Sequence, residues 1–270
     1  FDSIPSDLGV WFVQNLMLQK YGLRASHVKC RIKRFSGGIS GGTIASMLNI
    51  IDEVKINKNL LRQIADPYAL IPKGAHRGLD SWDQTRAIFD KDFDCWTIPF
   101  IMASINTRIV RRTNALLDFA YGKDFRYDEA ILLSKKTSNI SALLRGYIMG
   151  SLHPMLAVDI LRFLVKPFLP SPGQGPNLEQ RQSGFYDFRF LAKHPDNRSN
   201  DIIGKVYGDM DPGYGSTSKM LAESAVCLAK DNISLGGGIW TPASLMGDKL
   251  LKRLELNAGL SFTEVVNKDR

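Results

Sequence analysis

The feature that most constrains the fold is a pair of alternating segments joined by a polar turn. Aromatic residues alternate with charged ones over residues 186–190, and a second apolar run follows at 202–207. Two such segments around a turn rich in Pro, Asn, Asp and Ser predict a β-hairpin. Residues 27–35 also alternate, with apolar and cationic side chains in turn. This pattern predicts a strand with one buried face and one face that meets solvent or a charged ligand.

Helical periodicity lies between these strands, and the strands are far apart in the chain. Because some strands connect as hairpins, we expect an α/β (α+β) fold in which a mixed β-sheet has flanking helices. Helices are predicted from the cap residue Ser6 to Gly22, after the turn 36–43, from the cap residue Asn106 to Gly122, over 140–169 with a break at Pro154, after Ser216, and after the cap residue Thr241.

Composition is that of a folded chain. Of its 270 residues 44% are hydrophobic, and 14 Phe add enough apolar area for a sizeable core. Cys30, Cys95 and Cys227 are widely separated, which favours a reducing compartment, and we expect a cytoplasmic protein. The scattered His and Cys residues show no metal-ligand spacing, so we predict no metal site.

The net charge of +8 is distributed unevenly. Residues 8–51 contain no carboxylate, and over 130–178 Asp159 is the only acid among five Lys and Arg. Three interpretations stay open: a solvated basic face, a site for an anionic ligand, or peripheral contact with an anionic membrane surface. Nucleic acid is not a predicted partner, because the chain has no aromatic-basic stacking motif.

Two features could bind an anion. The glycine-rich turn 36–43 opens a helix, where the N–H groups of Gly41, Gly42 and Thr43 could surround a phosphate. Its spacing matches neither the G-x-G-x-x-G nor the G-x-x-x-x-G-K-[ST] pattern. The alternative is a tight strand-to-helix connection whose glycines permit close packing. Arg111 and Arg112 could hold a phosphate or carboxylate bidentately, or could form a solvated helix face.

Six short segments, spread over essentially the whole chain, carry a family resemblance. They are Phe1–Gly9, Ser40–Ser46, Ile109–Thr113, Gly173–Pro176 with Arg181–Gly184, Asp211–Tyr214 and Gly237–Ala243. Together they resemble the saccharopine-dehydrogenase-like oxidoreductases, including the trans-acting enoyl reductases of lipid biosynthesis. No single segment is decisive, but their order and combination are specific.

The resemblance implies a division of the chain. In that family a Rossmann domain comes first, so this sequence is expected to be a fragment that starts at the junction and is inactive alone. Residues 1–25 would be a remnant of the junction, 26–235 a substrate and dimerisation domain, and 236–270 a C-terminal helix that packs back on the nucleotide domain. The sheet would be the C-terminal portion of a saccharopine-reductase-like fold.

The resemblance also implies cofactor and chemistry. NAD or NADP would be bound mainly upstream, with Asp2, Ser3, Ile4 and Pro5 near the nicotinamide. The reaction would be hydride transfer to an enoyl, keto or related lipid-like substrate by a homodimer. A proton donor is then needed, and the chemically able candidates are Asp2, His76 and Tyr214.

Two other functions stay open. One is a catalytically silent protein of a lipid or membrane surface that shares the fold, motivated by the apolar, acid-poor centre of the chain. The other is a phosphate-dependent transferase that uses the glycine-rich turn. Against it, this turn lacks a Lys at phosphate-loop spacing.

Overall fold

A seven-stranded mixed sheet organises the part of the chain that the computed structural model describes, residues 3–266. The strands are β1 (His27–Ser36), β2 (Ile88–Asp90), β3 (Cys95–Ile98), β4 (Arg126–Leu132), β5 (Phe185–Lys193), β6 (Ile202–Gly208) and β7 (Leu260–Glu264). Their order in the sheet is β2-β3-β4-β1-β5-β6-β7. Only β1 and β4 pair in parallel among these strands, and the other neighbours are antiparallel.

Helices flank this sheet, which confirms the predicted fold class. They are α1 (Ile4–Tyr21), α2 (Gly41–Ile56), α3 (Lys58–Ala65), α4 (Ala103–Leu116), α5 (Asn139–Ala157), α6 (Asp159–Val165), α7 (Leu178–Ser183), α8 (Gly215–Lys230), α9 (Pro242–Leu245) and α10 (Gly247–Asn257), with short 3-10 turns at Lys166–Phe168 and Arg198–Asn200.

The alternating segments become strands as predicted. In β1 the side chains of Val28, Cys30 and Ile32 are buried on one face. The predicted hairpin is confirmed by the antiparallel register of β5 and β6, in which Phe188 lies opposite Val206. Strands β2, β3, β4 and β7 were not predicted. Three of them have only three to five residues, too few to show a period, and in β4 the buried Glu129 interrupts the apolar face.

Two predicted helix starts are wrong. Helix α1 begins at Ile4, so Ser6 lies inside its first turn and Ser3 stands at the cap position. Gly22 ends this helix with φ of 72°, as expected for a C-terminal glycine. Helix α4 begins at Ala103, which places Asn106 inside the helix, where its buried side chain is used in a polar network instead of a cap.

Two predicted breaks are also displaced. Helix α5 continues through Pro154, and the chain turns at Val158, where α6 departs at 111°. Beyond Thr241 the predicted single helix is split at Gly247, whose φ of 44° separates α9 from α10. No described helix alone is long and apolar enough to cross a membrane, although α5 and α6 together match the length and composition of a bent span.

One hydrophobic core runs from Ile4 in α1 to Phe262 in β7. Helix α1 lies on β5 and β6, while α9 and α10 pack against α1. The described parts of the segments predicted as 1–25 and 236–270, which are residues 3–25 and 236–266, therefore share their core with the central strands. On the other face of the sheet, the turn between β2 and β3 brings Phe93 against Leu191 and Ile203.

The closest approach of α1 to the sheet depends on a glycine. A Cβ at Gly9 would lie 2.3 Å from Cζ of the buried Phe190. We predict that Gly9→Ala lowers the free energy of unfolding by about 1–3 kcal/mol, because the buried ring of Phe190 would have to shift. Gly42→Ala in α2 is the matched control, since its Cβ would meet only the hydroxyl of Ser40, at 3.6 Å. Urea unfolding of both variants measures the difference, and equal stabilities would contradict this packing.

Candidate functional site

The parallel strands β1 and β4 end at the same edge of the sheet, and ligands of α/β proteins commonly bind at such carboxyl ends. Helix α1 points its N-terminus towards this edge. Its last residue, Tyr21, contacts His194 with ring centroids 5.4 Å apart, beside the opposite end of β1. The loop after β1 and the N-terminus of α1 therefore lie towards the same end of the sheet.

Tyr214 and Ser40 form a hydrogen-bonded pair at this end. The phenol of Tyr214 donates to Ser40 Oγ at 2.6 Å, and Ser40 Oγ also accepts from the backbone N–H of Thr43 at 3.1 Å. Ser40 is buried, whereas Tyr214 is 45% exposed. A phenol that is accessible on one side and hydrogen-bonded on the other can exchange a proton with a bound molecule. We call these two residues the Ser40–Tyr214 pair.

Asp211 fixes the turn that presents Tyr214. Its carboxylate accepts from the backbone N–H of Tyr214 at 2.6 Å, of Gly215 at 3.1 Å and of Gly38 at 3.2 Å. The backbone N–H of Asp211 in turn donates to the carbonyl of Arg181 at 3.0 Å. One buried carboxylate thus joins the loop after β6 to the glycine-rich loop after β1.

The glycine-rich turn serves as a packing junction. A Cβ at Gly41 would lie 1.8 Å from the carbonyl oxygen of Ser171, and the N–H of Gly41 donates to the carbonyl of Gln174 at 2.9 Å. Since Ser40 occupies the N–H of Thr43, of the predicted anion cradle only the N–H of Gly42 has no described partner. The geometry therefore favours the alternative given above, a tight connection.

A second cluster joins α1, α4 and α9. The buried carboxylate of Asp7 accepts from Thr113 Oγ1 at 2.5 Å and from the backbone N–H of Ala243 at 2.8 Å. Thr241 Oγ1 lies 2.6 Å from Thr113 Oγ1. Burial raises the pKa of Asp7 to about 7, against the lowering effect of these two hydrogen bonds. The six segments that carry the family resemblance thus lie in two clusters, one around Asp7 and one around Asp211.

Glu129 is a buried acid that the sequence analysis missed. Its carboxylate accepts from Tyr127 Oη at 2.6 Å and from Asn106 Nδ2 at 3.0 Å, and Ser3 Oγ donates to Asn106 Oδ1 at 2.9 Å. Burial raises the pKa of Glu129 above its ordinary value. An acid with a raised pKa that connects to a half-exposed hydroxyl is a candidate functional group. Its alternation with Tyr127 and Ile131, on the core face of β4, was the available signal.

The residues predicted near the nicotinamide do not form a pocket by themselves. Ile4 and Pro5 are buried in α1. Ser3 is half-buried and is the one accessible member among the described residues, since Asp2 lies outside them. Residues beyond this group would have to supply most of a nicotinamide site.

Arg111 and Arg112, which could hold an anion, form contacts within the protein instead. The buried guanidinium of Arg111 donates to Asp80 Oδ2 at 2.8 Å and to the carbonyls of Pro67 and Tyr127, each at 3.0 Å. Arg112 donates to the carbonyls of Leu70 and Ile239. Both arginines therefore hold loops against α4, and their guanidinium groups already have hydrogen-bond partners within the protein.

His76 lies away from Tyr214. Its imidazole Nε2 is 3.9 Å from Asp124 and its ring packs edge-on against Phe119, both just before β4 begins. The start of β4 is the opposite end of the parallel pair from the Ser40–Tyr214 pair. Of the predicted proton donors that are described, Tyr214 alone lies at the carboxyl end of β1 and β4.

A depression of about 400 Å³ lies on the outer face of the sheet, at the carboxyl ends of β1 and β4. Its apolar wall includes Phe93, Leu132 and Ile203. The cationic residues around it are Lys33, Arg34, Lys135 and Arg189.

These cations differ in their partners. Arg189 is neutralised by Asp187, with nitrogen–oxygen distances of 2.8 and 3.0 Å, and Lys135 lies 3.7 Å from Asp94. Lys33 and Arg34 form no ion pair within the described range, although Arg34 stands over the ring of Phe185. The fold thus brings cations from both acid-poor segments to one cavity. We call it the cationic depression.

Metal-ligating side chains do not cluster in the described part of the chain: over residues 3–266 no three His, Cys, Asp or Glu residues could hold an ion together.

Comparison with known proteins gives relatives of one kind. A Mycobacterium tuberculosis protein provisionally named a trans-acting enoyl reductase is 37% identical over 274 aligned positions, 97% of this chain and 65% of the relative. Proteins named trans-acting enoyl reductase from Mycobacterium bovis and Mycobacterium ulcerans are 31% and 32% identical, over 94% of this chain and 63% of each relative. This chain therefore spans just under two thirds of the length of these relatives.

The relatives support the trans-acting enoyl reductase family for this chain, the narrower of the groups that the motifs resemble. No protein-family model matches the sequence, and no solved structure matches it significantly.

The buried carboxyl of Asp7 should make stability depend on pH. Its pKa of about 7 in the fold lies above the ordinary value of 3.8, so its contribution is fully present below about pH 4 and is lost as the pH rises through 7. Relative to Asp7→Asn, which cannot titrate, the native protein should lose up to about 4 kcal/mol of unfolding free energy over this range. Urea unfolding of both proteins measures this difference, and a difference that is constant with pH would contradict the assignment.

Proposed function

We propose that this chain forms the substrate side of an NAD(P)-dependent reductase that acts on an enoyl, keto or related lipid-like compound. The observation that carries the proposal is the similarity to proteins named enoyl reductases, which extends over 94% of the chain or more. The Ser40–Tyr214 pair at the carboxyl ends of β1 and β4 supplies a chemical group suited to this reaction. Residues 26–235 would bind substrate and dimerise, within a saccharopine-dehydrogenase-like arrangement.

NAD or NADP would be bound mainly by residues outside this sequence, with Ser3 as the contact from the described part. When bound, a nicotinamide supplies the hydride, and the protein contributes alignment and proton transfer. Ser3 Oγ already donates to Asn106, which connects this position to the buried Glu129. This network would hold the N-terminus of α1 in place.

Tyr214 would donate the proton. Reduction of an enoyl group adds hydride to the β carbon and leaves negative charge that a proton at the α carbon must quench. The contact with Ser40 positions the phenol oxygen, and the three backbone N–H groups on Asp211 fix its turn. For the transfer the phenol O–H would turn from Ser40 to the α carbon, and the hydroxyl of Ser40 would then donate to the phenolate that is left. A positioned acid of this kind typically contributes about 10²–10⁴-fold to the rate.

The cationic depression would hold an anionic part of the substrate. Its volume of about 400 Å³ lies in the range of small-molecule sites, and its wall is apolar. Lys33 and Arg34 have the free charge that a carboxylate or phosphate requires. This assignment explains why the acid-poor segments 8–51 and 130–178 both contribute to one cavity.

The relatives favour a reductase over the catalytically silent alternative. We keep the homodimer and the cytoplasmic location as proposals that follow from the family resemblance and from the three free, buried cysteines.

Removal of the Tyr214 hydroxyl tests the proton donor. We expect Tyr214→Phe to lower turnover of an enoyl thioester by about a hundredfold or more, while thermal stability changes little. Tyr21→Phe is the matched control, because that ring lies at the opposite end of β1. Nicotinamide oxidation by the complete protein, with NADH and with NADPH, gives the rates, and equal rates for the two variants would contradict the role of Tyr214.

Removal of the two free cations tests the depression. Lys33→Ala with Arg34→Ala should raise KM by about tenfold or more, and kcat should be unchanged, because binding is lost equally in the ground and transition states. The exposed pair Lys230→Ala and Lys252→Ala makes the same change of net charge elsewhere. If both double variants raise KM equally, the effect comes from general electrostatic attraction, and a specific site at the depression is ruled out.

A further inference from the structure

Four helices and one turn form a unit beside the main core, in which α5 packs against β3. Helices α2, α3, α5 and α6 contact one another in series, and the 3-10 turn Lys166–Phe168 follows α6. We call this unit the helical lobe. Helices α3 and α6 bury no side chain in the described structure. The residues that the lobe does bury, among them Ile44, Ile51 and Leu156, lie outside the hydrophobic core that covers the sheet.

Apolar side chains of the lobe face outwards. Ile56 is 88% exposed, Ile140 81%, Tyr147 73%, Phe163 75% and Phe168 87%. They come from α2, α5, α6 and the 3-10 turn, so the exposure is a property of the whole lobe. Soluble proteins rarely leave so many large apolar groups together in water, and such a surface marks an interaction site.

The inner side of α5 explains why its other sides remain open. A Cβ at Gly150 would lie 2.0 Å from the carbonyl oxygen of Thr85, and one at Gly146 would lie 2.5 Å from the backbone nitrogen of Ala87. This narrow glycine face rests directly on the segment before β2. The side of α5 that carries Ile140 and Tyr147 is exposed.

The charges of the lobe are arranged to favour anions. Asp52 pairs with Arg162 at 2.8 Å and Asp159 pairs with Lys55 at 2.5 Å, so two of its three acids are neutralised internally. The third acid, Glu53, accepts a hydrogen bond from Asn49. The cations Lys58, Arg62 and Arg145, with Lys136 just before α5, are exposed and form no ion pair within residues 3–266.

We infer that the helical lobe binds an anionic lipid surface, with its apolar side chains inserted at the level of the headgroups. Apolar groups flanked by free cations are the combination that holds amphipathic helices at such a surface. A second copy of the chain is a poorer occupant, because it would present the same free cations and repel them. Two ion pairs tie α6 to α2, so both helices would meet the surface as one unit.

Vesicle flotation of the complete protein tests the inference. Phosphatidylcholine vesicles that contain phosphatidylserine should carry the protein upwards at low salt, and vesicles of phosphatidylcholine alone should not. Lys136→Glu with Arg145→Glu should weaken binding by about tenfold or more, as should Phe163→Ser with Phe168→Ser.

Matched controls lie on the far helices and loops. Lys230→Glu with Lys252→Glu makes the same change of charge, and Ile239→Ser with Leu256→Ser removes equally exposed apolar groups; both should float like the native protein.

Four outcomes would overturn the inference. Three of them are absence of flotation, equal losses in the control variants, and a dimer that the Phe163 and Phe168 variant converts to monomer without lipid. Binding that survives both high salt and alkaline carbonate would also overturn it, because it would indicate that α5 and α6 are inserted as a bent span. Flotation does not depend on turnover, so this test and that of the proposed reductase can fail separately.

Discussion

The parallel pairing of β1 with β4 is the constraint on which the rest of the structure depends. Parallel neighbours cannot be joined by a tight turn, so the chain between them must cross over. In this protein the crossover contains α2, α3, the β2–β3 hairpin and α4. It therefore supplies α2 and α3 to the helical lobe, and Phe93 to the wall of the cationic depression. It also places the loop after β1 beside the loop after β4, where the candidate site lies.

Two buried carboxylates hold this arrangement together. Asp211 gathers three backbone N–H groups from two loops, and Asp7 joins α1 to α4 and α9. Their environments differ. Asp211 receives three backbone N–H donors, whereas Asp7 receives one backbone N–H and one hydroxyl, and burial raises the pKa of Asp7 to about 7. The first carboxylate shapes the site, and the second makes the junction of helices sensitive to pH.

Much of the fold could be predicted from the sequence, because the alternation in β1, β5 and β6 is long enough to define a period. The starts of α1 and α4 could not be predicted. Ser6 and Asn106 are residue types that commonly cap helices, but in the fold both lie buried inside their helices. The contacts of Arg111 and Glu129 could not be predicted for a similar reason, because they depend on the tertiary fold. Only the fold shows that loop carbonyls surround the arginine, and that Ser3 and Asn106 connect the acid to the N-terminus of α1.

Transfer of isotope tests the central claim, that this chain aligns an enoyl substrate for reduction with Tyr214 as the acid. The complete protein would be given an enoyl thioester and NADPH or NADH deuterated on the nicotinamide ring, and the product would be analysed by mass spectrometry and NMR. The account predicts deuterium at the β carbon and a solvent-derived proton at the α carbon, with product formation strongly reduced in Tyr214→Phe. Absence of label in the product with both nicotinamides, or unchanged product formation in Tyr214→Phe, would contradict it.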